Sequence, residues 1–201
     1  MSITCYEYLK NSAAVNGDFT AAISFGSKTS LSKLIADIDA AAAYFNHIGI
    51  AHGDSVTVFL PTTIHAFTSF YALNKIGVIA NIVHPLTSPE GLLESIKKTK
   101  SKAVFILDIL VEAYADVVNS CNVPCIICSN SDYVSLPVSL GIKAFEKVKA
   151  KGLDRFKNSI RYKEMLSVGA KKESEEFRDG SFTAVYLHGG GTTGKSKTIM
   201  L

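Results

Sequence analysis

The sequence predicts an α/β protein with a mostly parallel β-sheet and flanking helices, and three observations carry that expectation. Short apolar runs rich in β-branched residues alternate with longer stretches whose apolar residues recur every three or four positions. The connections between them are short, as in successive β-α-β units. The last apolar run opens into a glycine-rich turn, and ligands of open α/β sheets bind where strands give way to such turns.

The elements follow in order. Residues 3–10, or slightly more, read as a short helix, and residues 21–25 as a strand closed by a Gly26-Ser27-Lys28 turn. Leu31, Leu34, Ile35, Ile38, Ala41, Ala42, Phe45 and Ile48 form one apolar stripe at helical spacing, with Thr29 or Ser30 as its cap and Gly49 at its end. Strand 55–60 stops at Pro61, helix 64–76 stops at Gly77, and strand 78–83 stops at His84-Pro85. Ser88 introduces a helix over 89–99. Strand 103–107, helix 109–119 and a strand around Cys125-Ile126-Ile127 come next, and residues 183–187 read as a final buried strand.

Composition sets outer bounds. Hydrophobic residues make up 47% and charged residues 19% of the 201, an ordinary globular balance for one or two domains. A net charge of +3 is too small to imply a nucleic-acid partner. No apolar run reaches the ~18 residues of a membrane span, and the first ten residues lack the basic and apolar regions of a leader. A soluble cytoplasmic protein is therefore the expectation.

The richest stretch is Leu187-His188-Gly189-Gly190-Gly191-Thr192-Thr193-Gly194-Lys195-Ser196-Lys197. Glycines let backbone N–H groups turn toward an anion, and consecutive N–H groups in such a turn make a concave anion site. Threonine hydroxyls add donors and lysines add charge, which together suit a polyphosphate. Gly189, Gly194, Lys195 and Ser196 satisfy the G-x-x-x-x-G-K-[ST] pattern of P-loop NTPases. Such a loop typically opens its domain, whereas here only residues 198–201 follow the run.

The same residues resemble the phosphate loop of the AMP-forming synthetases, the superfamily of acyl-CoA synthetases, luciferases and adenylation domains. Gly191-Thr192-Thr193-Gly194 and Lys197 match its pattern; Gly189, Gly190, Ser196 and Thr198 depart from it. Gly53-Asp54-Ser55-Val56 with Leu60-Pro61, and the stretch from Leu73 to Leu86, also resemble segments of acyl-CoA synthetases. The resemblance covers nearly the whole chain and is weakest over about 129–174. It implies a ligase that activates a carboxylic acid, a fatty acid by preference, with ATP and Mg²⁺ through an acyl-adenylate, and transfers the acyl group to CoA. It further implies that Gly189, Gly190, Gly191, Thr192, Thr193, Gly194, Lys195 and Lys197 surround the ATP phosphates. Residues 1–201 would be the N-terminal part of the AMP-binding domain, without the C-terminal domain, and inactive alone: a truncated chain, a split gene product or a degenerate relative. A non-catalytic nucleotide-binding or interaction module, or a P-loop NTPase fragment, are the other readings. The partners implied are small molecules, with no nucleic acid and no membrane span.

Three remaining features need a reading. Residues 143–163 hold eight Lys or Arg against Glu146 and Asp154, and within the less regular segment 129–181 they read as a solvated helix face. Cys125 and Cys128 form a C-x-x-C, but on a strand their side chains point to opposite faces, so they read as buried hydrophobes without zinc or disulfide. His47, His52 and His65 show no partner pattern and His84 ends a strand, while His188 at the loop entrance either reaches a ligand or fills space beneath the loop.

Overall fold

The computed structural model describes residues 2–134, 155–189 and 197–201. Helix α1 (Cys5–Asn16) starts at a capping box in which the Thr4 hydroxyl accepts the Glu7 N–H and the Glu7 carboxylate accepts the Thr4 N–H. It runs a turn and a half further than expected and ends at Gly17. Strands β1 (Thr20–Ser24) and β2 (Ser27–Ser30) make an antiparallel hairpin apart from the main sheet. Ser24 faces Ser27, and the two-residue turn of Phe25 and Gly26 has φ of 47° and 78°. Two positive φ values are what a tight hairpin turn requires, so Ser27 and Lys28 belong to β2 and not to the turn.

Helix α2 (Leu31–His47) buries the expected stripe; Ser30, not Thr29, caps it by accepting the Lys33 N–H. The central strands β3 (Ser55–Phe59), β4 (Ile79–Ile82), β5 (Val104–Leu107) and β6 (Cys125–Cys128) are parallel neighbours and nearly all buried. Helix α3 (Ile64–Lys75) joins β3 to β4, and α4 (Pro89–Thr99), capped by Ser88, joins β4 to β5. A 3-10 turn at Asp108–Leu110 precedes α5 (Val111–Cys121), so that helix begins two residues later than the sequence suggests.

Beyond β6, described residues of the less regular segment 129–181 form three elements. A 3-10 turn (Asn130–Tyr133), strand β7 (Ser159–Arg161) and helix α6 (Tyr162–Gly169) lie in it. Four of the eight basic residues in 143–163 fall outside the described residues; of the other four, Arg155 makes an ion pair with Asp116 at 3.0 Å. The chain then returns to the far side of β4 as β8 (Val185–Gly189) and turns back as β9 (Lys197–Met200). The described sheet reads β7-β6-β5-β3-β4-β8-β9, parallel except for β8 with β9. Contrary to expectation, β8 is not buried: Leu187 is 37% exposed. It lies near an edge, with only β9 outside it.

Chain direction reverses at β3. From β3 the chain steps to β4 on one side, and from β4 it crosses back over β3 to β5. Right-handed crossovers in opposite directions put α3 and α4 on opposite faces. One core therefore gathers α2, α3, Tyr162 and Met165 of α6, and the facing residues Val56, Val58, Ala80 and Phe105. The other gathers α4 and α5 over Phe59, Val104, Ile106 and Ile127.

Helix α6 packs tightly on α2. An added Cβ at Gly169 would lie 1.9 Å from the Ala40 carbonyl oxygen and 3.2 Å from the Tyr44 Cβ. Helix propensity alone favours alanine over glycine by ~1 kcal/mol, but a clash with backbone moves two helices apart, and overpacking costs ~1–3 kcal/mol. We expect Gly169→Ala to lower the urea midpoint. An unchanged or raised midpoint would show that α2 and α6 are not in this contact.

Candidate functional site

The parallel strands β3, β4 and β8 end along one edge of the sheet. Leu60, Pro61, Val83, His84, Pro85 and Gly189, which follow or close these strands, line a cleft of about 740 Å³ together with Glu94, Ser95 and Lys98 of α4. The glycine-rich run connects β8 to β9 at the same edge. Of the eight residues expected to hold phosphate, Gly189 closes β8 and Lys197 opens β9, and the two are register partners. Gly190, Gly191, Thr192, Thr193, Gly194 and Lys195 lie outside the described residues, as does Ser196. The loop is thus carried on a β-hairpin. A P-loop runs from a strand into a helix whose N-terminus meets the phosphates; here the chain from Lys197 to Met200 is a strand.

Beneath the hairpin runs a chain of buried polar side chains. His188 Nε2 lies 2.6 Å from Asn81 Oδ1 and 3.1 Å from Ser95 Oγ. The Asn81 amide donates to Thr57 Oγ1 at 2.9 Å and to Ser95 Oγ at 3.0 Å. Thr57 donates to Ser101 Oγ at 2.7 Å, Ser101 Oγ lies 2.8 Å from Thr99 Oγ1, and Thr99 donates to the Ser95 carbonyl at 2.8 Å. At the other end Thr198 Oγ1 is 3.4 Å from His188 Nδ1. One direction is consistent along the chain, with the Ser95 hydroxyl accepting from the Asn81 amide and donating to Asn81 Oδ1 at 3.5 Å. Thr198 donates to Nδ1, Nε2–H donates to Asn81, and the amide and hydroxyl donors continue to Thr99.

That direction fixes His188 as the neutral Nε2–H tautomer. Its surroundings favour the same state: burial first, and the Lys98 ammonium second, hold its pKa below the ordinary 6.5. His188 therefore sits between the loop hairpin and the sheet, hydrogen-bonded on both ring nitrogens, and is not a space-filler.

Sequence reading missed Asn81, Thr57, Ser95 and Ser101. The signal was present as polar residues at alternate positions in otherwise apolar runs, Ser55 and Thr57 in β3 and Asn81 in β4. His65 was also read without a partner, yet its Nε2 lies 3.1 Å from Asp132 Oδ2, in contact with the rings of Tyr133 and Tyr162. His52 stacks on Phe177, ring centroids 4.1 Å apart.

Cys125 and Cys128 are buried in the two opposite cores, as the strand geometry requires. Burial pushes the Cys125 thiol up to about 12 and the Cys128 thiol well above its ordinary value. Among the described residues no group of three or more His, Cys, Asp or Glu side chains could hold a metal ion, and no helix is long and apolar enough to cross a membrane. In the native protein Cys5, which is exposed, should react with a disulfide reagent promptly, and Cys125 and Cys128 only on unfolding, because the thiolate is the nucleophile. Prompt modification of Cys125 or Cys128 would place that strand at the surface.

A doubly wound, mostly parallel sheet with a cleft at its carboxyl edge defines an open α/β fold, a class in which ligands bind at that edge. The family model described as AMP-binding enzyme matches residues 9–201, and the chain belongs to that family. Among curated proteins it is 25% identical over 189 residues to a long-chain-fatty-acid–CoA ligase of Haemophilus influenzae, covering 92% of this chain and 34% of the ligase. It is 30% identical over 83 residues to an acetyl-coenzyme A synthetase of Coprinopsis cinerea, covering 41% of this chain and 13% of the synthetase. Among solved structures it is similar to a long-chain-fatty-acid-CoA ligase of Archaeoglobus fulgidus, with a TM-score of 0.74 at 18% identity over 100% of this chain and 37% of that one. The adenylation domain of a carboxylate reductase of Mycobacterium chelonae gives a TM-score of 0.72 at 15% identity, covering 99% of this chain and 34% of that one. The chain thus spans about a third of the length of the long-chain ligases it matches.

Proposed function

We propose that this chain supplies the ATP phosphate-binding part of an enzyme that activates a carboxylic acid, by preference a fatty acid, through an acyl-adenylate to a CoA thioester. The observation that supports it is the hairpin: a Gly/Thr/Lys loop held by β8 and β9 at the carboxyl edge, in a chain of the AMP-binding enzyme family. Forming an adenylate requires in-line attack of a carboxylate on the α-phosphorus. The protein's task is to position the triphosphate and offset its charge.

The donor set fits such a ligand. Lys197 is exposed at the start of β9, where its ammonium is free to meet a phosphate, and Lys98 adds a second cation to the cleft wall. Backbone N–H groups of the glycine run and the hydroxyls of Thr192 and Thr193 would supply the remaining donors, with Gly189, Gly190, Gly191, Gly194 and Lys195 shaping the turn. Mg²⁺ arriving with the triphosphate would neutralise part of its charge. CoA and the acid would enter as substrates of the complete enzyme. The relatives are about three times as long as this chain, and we propose that these 201 residues alone form no adenylate.

Binding of MgATP to the chain, followed by calorimetry, tests the assignment. Removing a charged donor from a bound phosphate costs ~1.5–3 kcal/mol, or roughly ten- to more than hundredfold in affinity. We expect that loss for Lys197→Ala and a smaller one for Thr192→Ala and Thr193→Ala. Lys195→Ala should change little, because Lys195 is not among the residues that match the AMP-forming synthetase pattern. If Lys195→Ala and Ser196→Ala are the damaging changes and Lys197→Ala is mild, the assignment is wrong. ATP–pyrophosphate exchange with a panel of fatty acids should stay at the level of boiled protein; turnover would show that the chain is a complete enzyme.

A further inference from the structure

We propose that His188 is a positioning residue, a neutral imidazole that fixes the two ends of the phosphate loop to each other and to the buried side chains under α4. The proposal rests on the nucleotide reading for what the loop holds, and on the hydrogen-bonded chain for how the loop is held.

The geometry is specific to this position. His188 and Thr198 are register partners across β8 and β9, one step inside the pair Gly189 and Lys197 that begins the loop. Leu187 is 37% and Ile199 49% exposed, so this end of the hairpin stem gains little from apolar burial. Among the described residues it is tied to the fold by the β4–β8 ladder and by the His188 side chain, which reaches Asn81 on β4 and Ser95 on α4. Asn81 is fully buried, and its amide already donates to Thr57 and Ser95. Its Oδ1 is left to accept, so the donor must be Nε2–H. Thr198 then donates to Nδ1, which requires that nitrogen to be bare.

Protonation removes that acceptor. The Thr198 hydroxyl must turn, and an imidazolium must remain partly buried beside Lys98. Of the charged and titratable groups at the cleft, Glu94 and Lys98 come from α4 and His84 from the end of β4, with Lys197 opening β9; Lys98 is the charge that acts on the ring. The sign follows from the lowered pKa: the folded protein binds this proton less readily than the unfolded chain. Stability from His188 is thus complete above about 6.5 and is lost as the pH falls through the folded-state value. A histidine that met phosphate directly would behave in the opposite way, because bound polyphosphate favours the imidazolium.

Amide hydrogen exchange of β8 and β9 by NMR, with the imidazole resonances followed in the same samples, tests this between about pH 5 and 8, the range in which histidine changes charge. Protection of the β8 and β9 amides in the native chain should fall by about tenfold, the scale of one hydrogen bond, as His188 protonates below 6.5. His188→Gln keeps a donor for Asn81 and cannot charge, so its protection should stay near the native high-pH level throughout. His188→Phe keeps the ring and loses both bonds, so its protection should be low at every pH. Lys98→Gln should move the native midpoint upward. MgATP affinity of the native chain should weaken as the pH falls, relative to His188→Gln, in which the nucleotide's own ionisation is the same. The same pH dependence of protection in His188→Gln, or MgATP affinity that rises as His188 becomes charged, would overturn the proposal. A hairpin that titrates as stated but ignores MgATP would leave the positioning intact and remove the nucleotide reading instead.

Discussion

The carboxamide of Asn81 is the fixed point on which this end of the molecule depends. It is fully buried between β3 and β8 and bonded to Thr57, Ser95 and His188. A buried amide group left without partners costs ~1–3 kcal/mol, while a satisfied hydrogen bond returns only ~1 kcal/mol net. Such a network is therefore poor value as a source of stability; an apolar β4 would serve the core as well. What it provides is registration. Hydrogen bonds have directions and apolar contacts do not, and those of Asn81 link β3, α4 and β8 to one side chain.

That registration bears on the site. In a strand-loop-helix anion site the phosphate meets the first turn of a helix, whose backbone is already rigid. Here the glycine-rich run joins two strands near a sheet edge. Gly189 and Lys197 are held opposite each other by the ladder, and one residue further in, His188 and Thr198 connect that ladder to the buried polar chain. A loop rich in glycine loses much conformational freedom when it closes on a ligand. Fixed ends reduce the part of that cost which the ligand must offset.

The legibility of the sequence follows burial. The central strands and helices α2, α3 and α4 were readable because both faces of the sheet are covered there, and burial leaves continuous apolar runs and clean helical stripes. The cap at Ser88 was readable, and that of α2 was narrowed to Thr29 or Ser30, because capping is local chemistry. Strand β9 was not: Lys197-Thr198-Ile199-Met200 is a short edge strand whose pairing partner is set by the sheet and not by its own composition. Strand β7 has three residues and the same difficulty. The glycine, threonine and lysine run was recognisable as a motif, while the β8–β9 hairpin that brackets it was invisible until β9 was seen. The role of His188 required three strands and a helix to be assembled, because its partners lie 107, 93 and 10 residues away in sequence.

The most direct measurement is the map of backbone amide shifts when MgATP is titrated into the isotopically labelled chain. A phosphate site carried on the β8–β9 hairpin requires the saturable changes to centre on His188, Gly189, Lys197, Thr198 and the glycine-rich residues between them. Smaller changes should pass to Asn81 and Ser95 through the hydrogen bonds, and the far face, with α2 and α6, should stay still. Saturable changes centred elsewhere, or none at concentrations that fill the site, would contradict it.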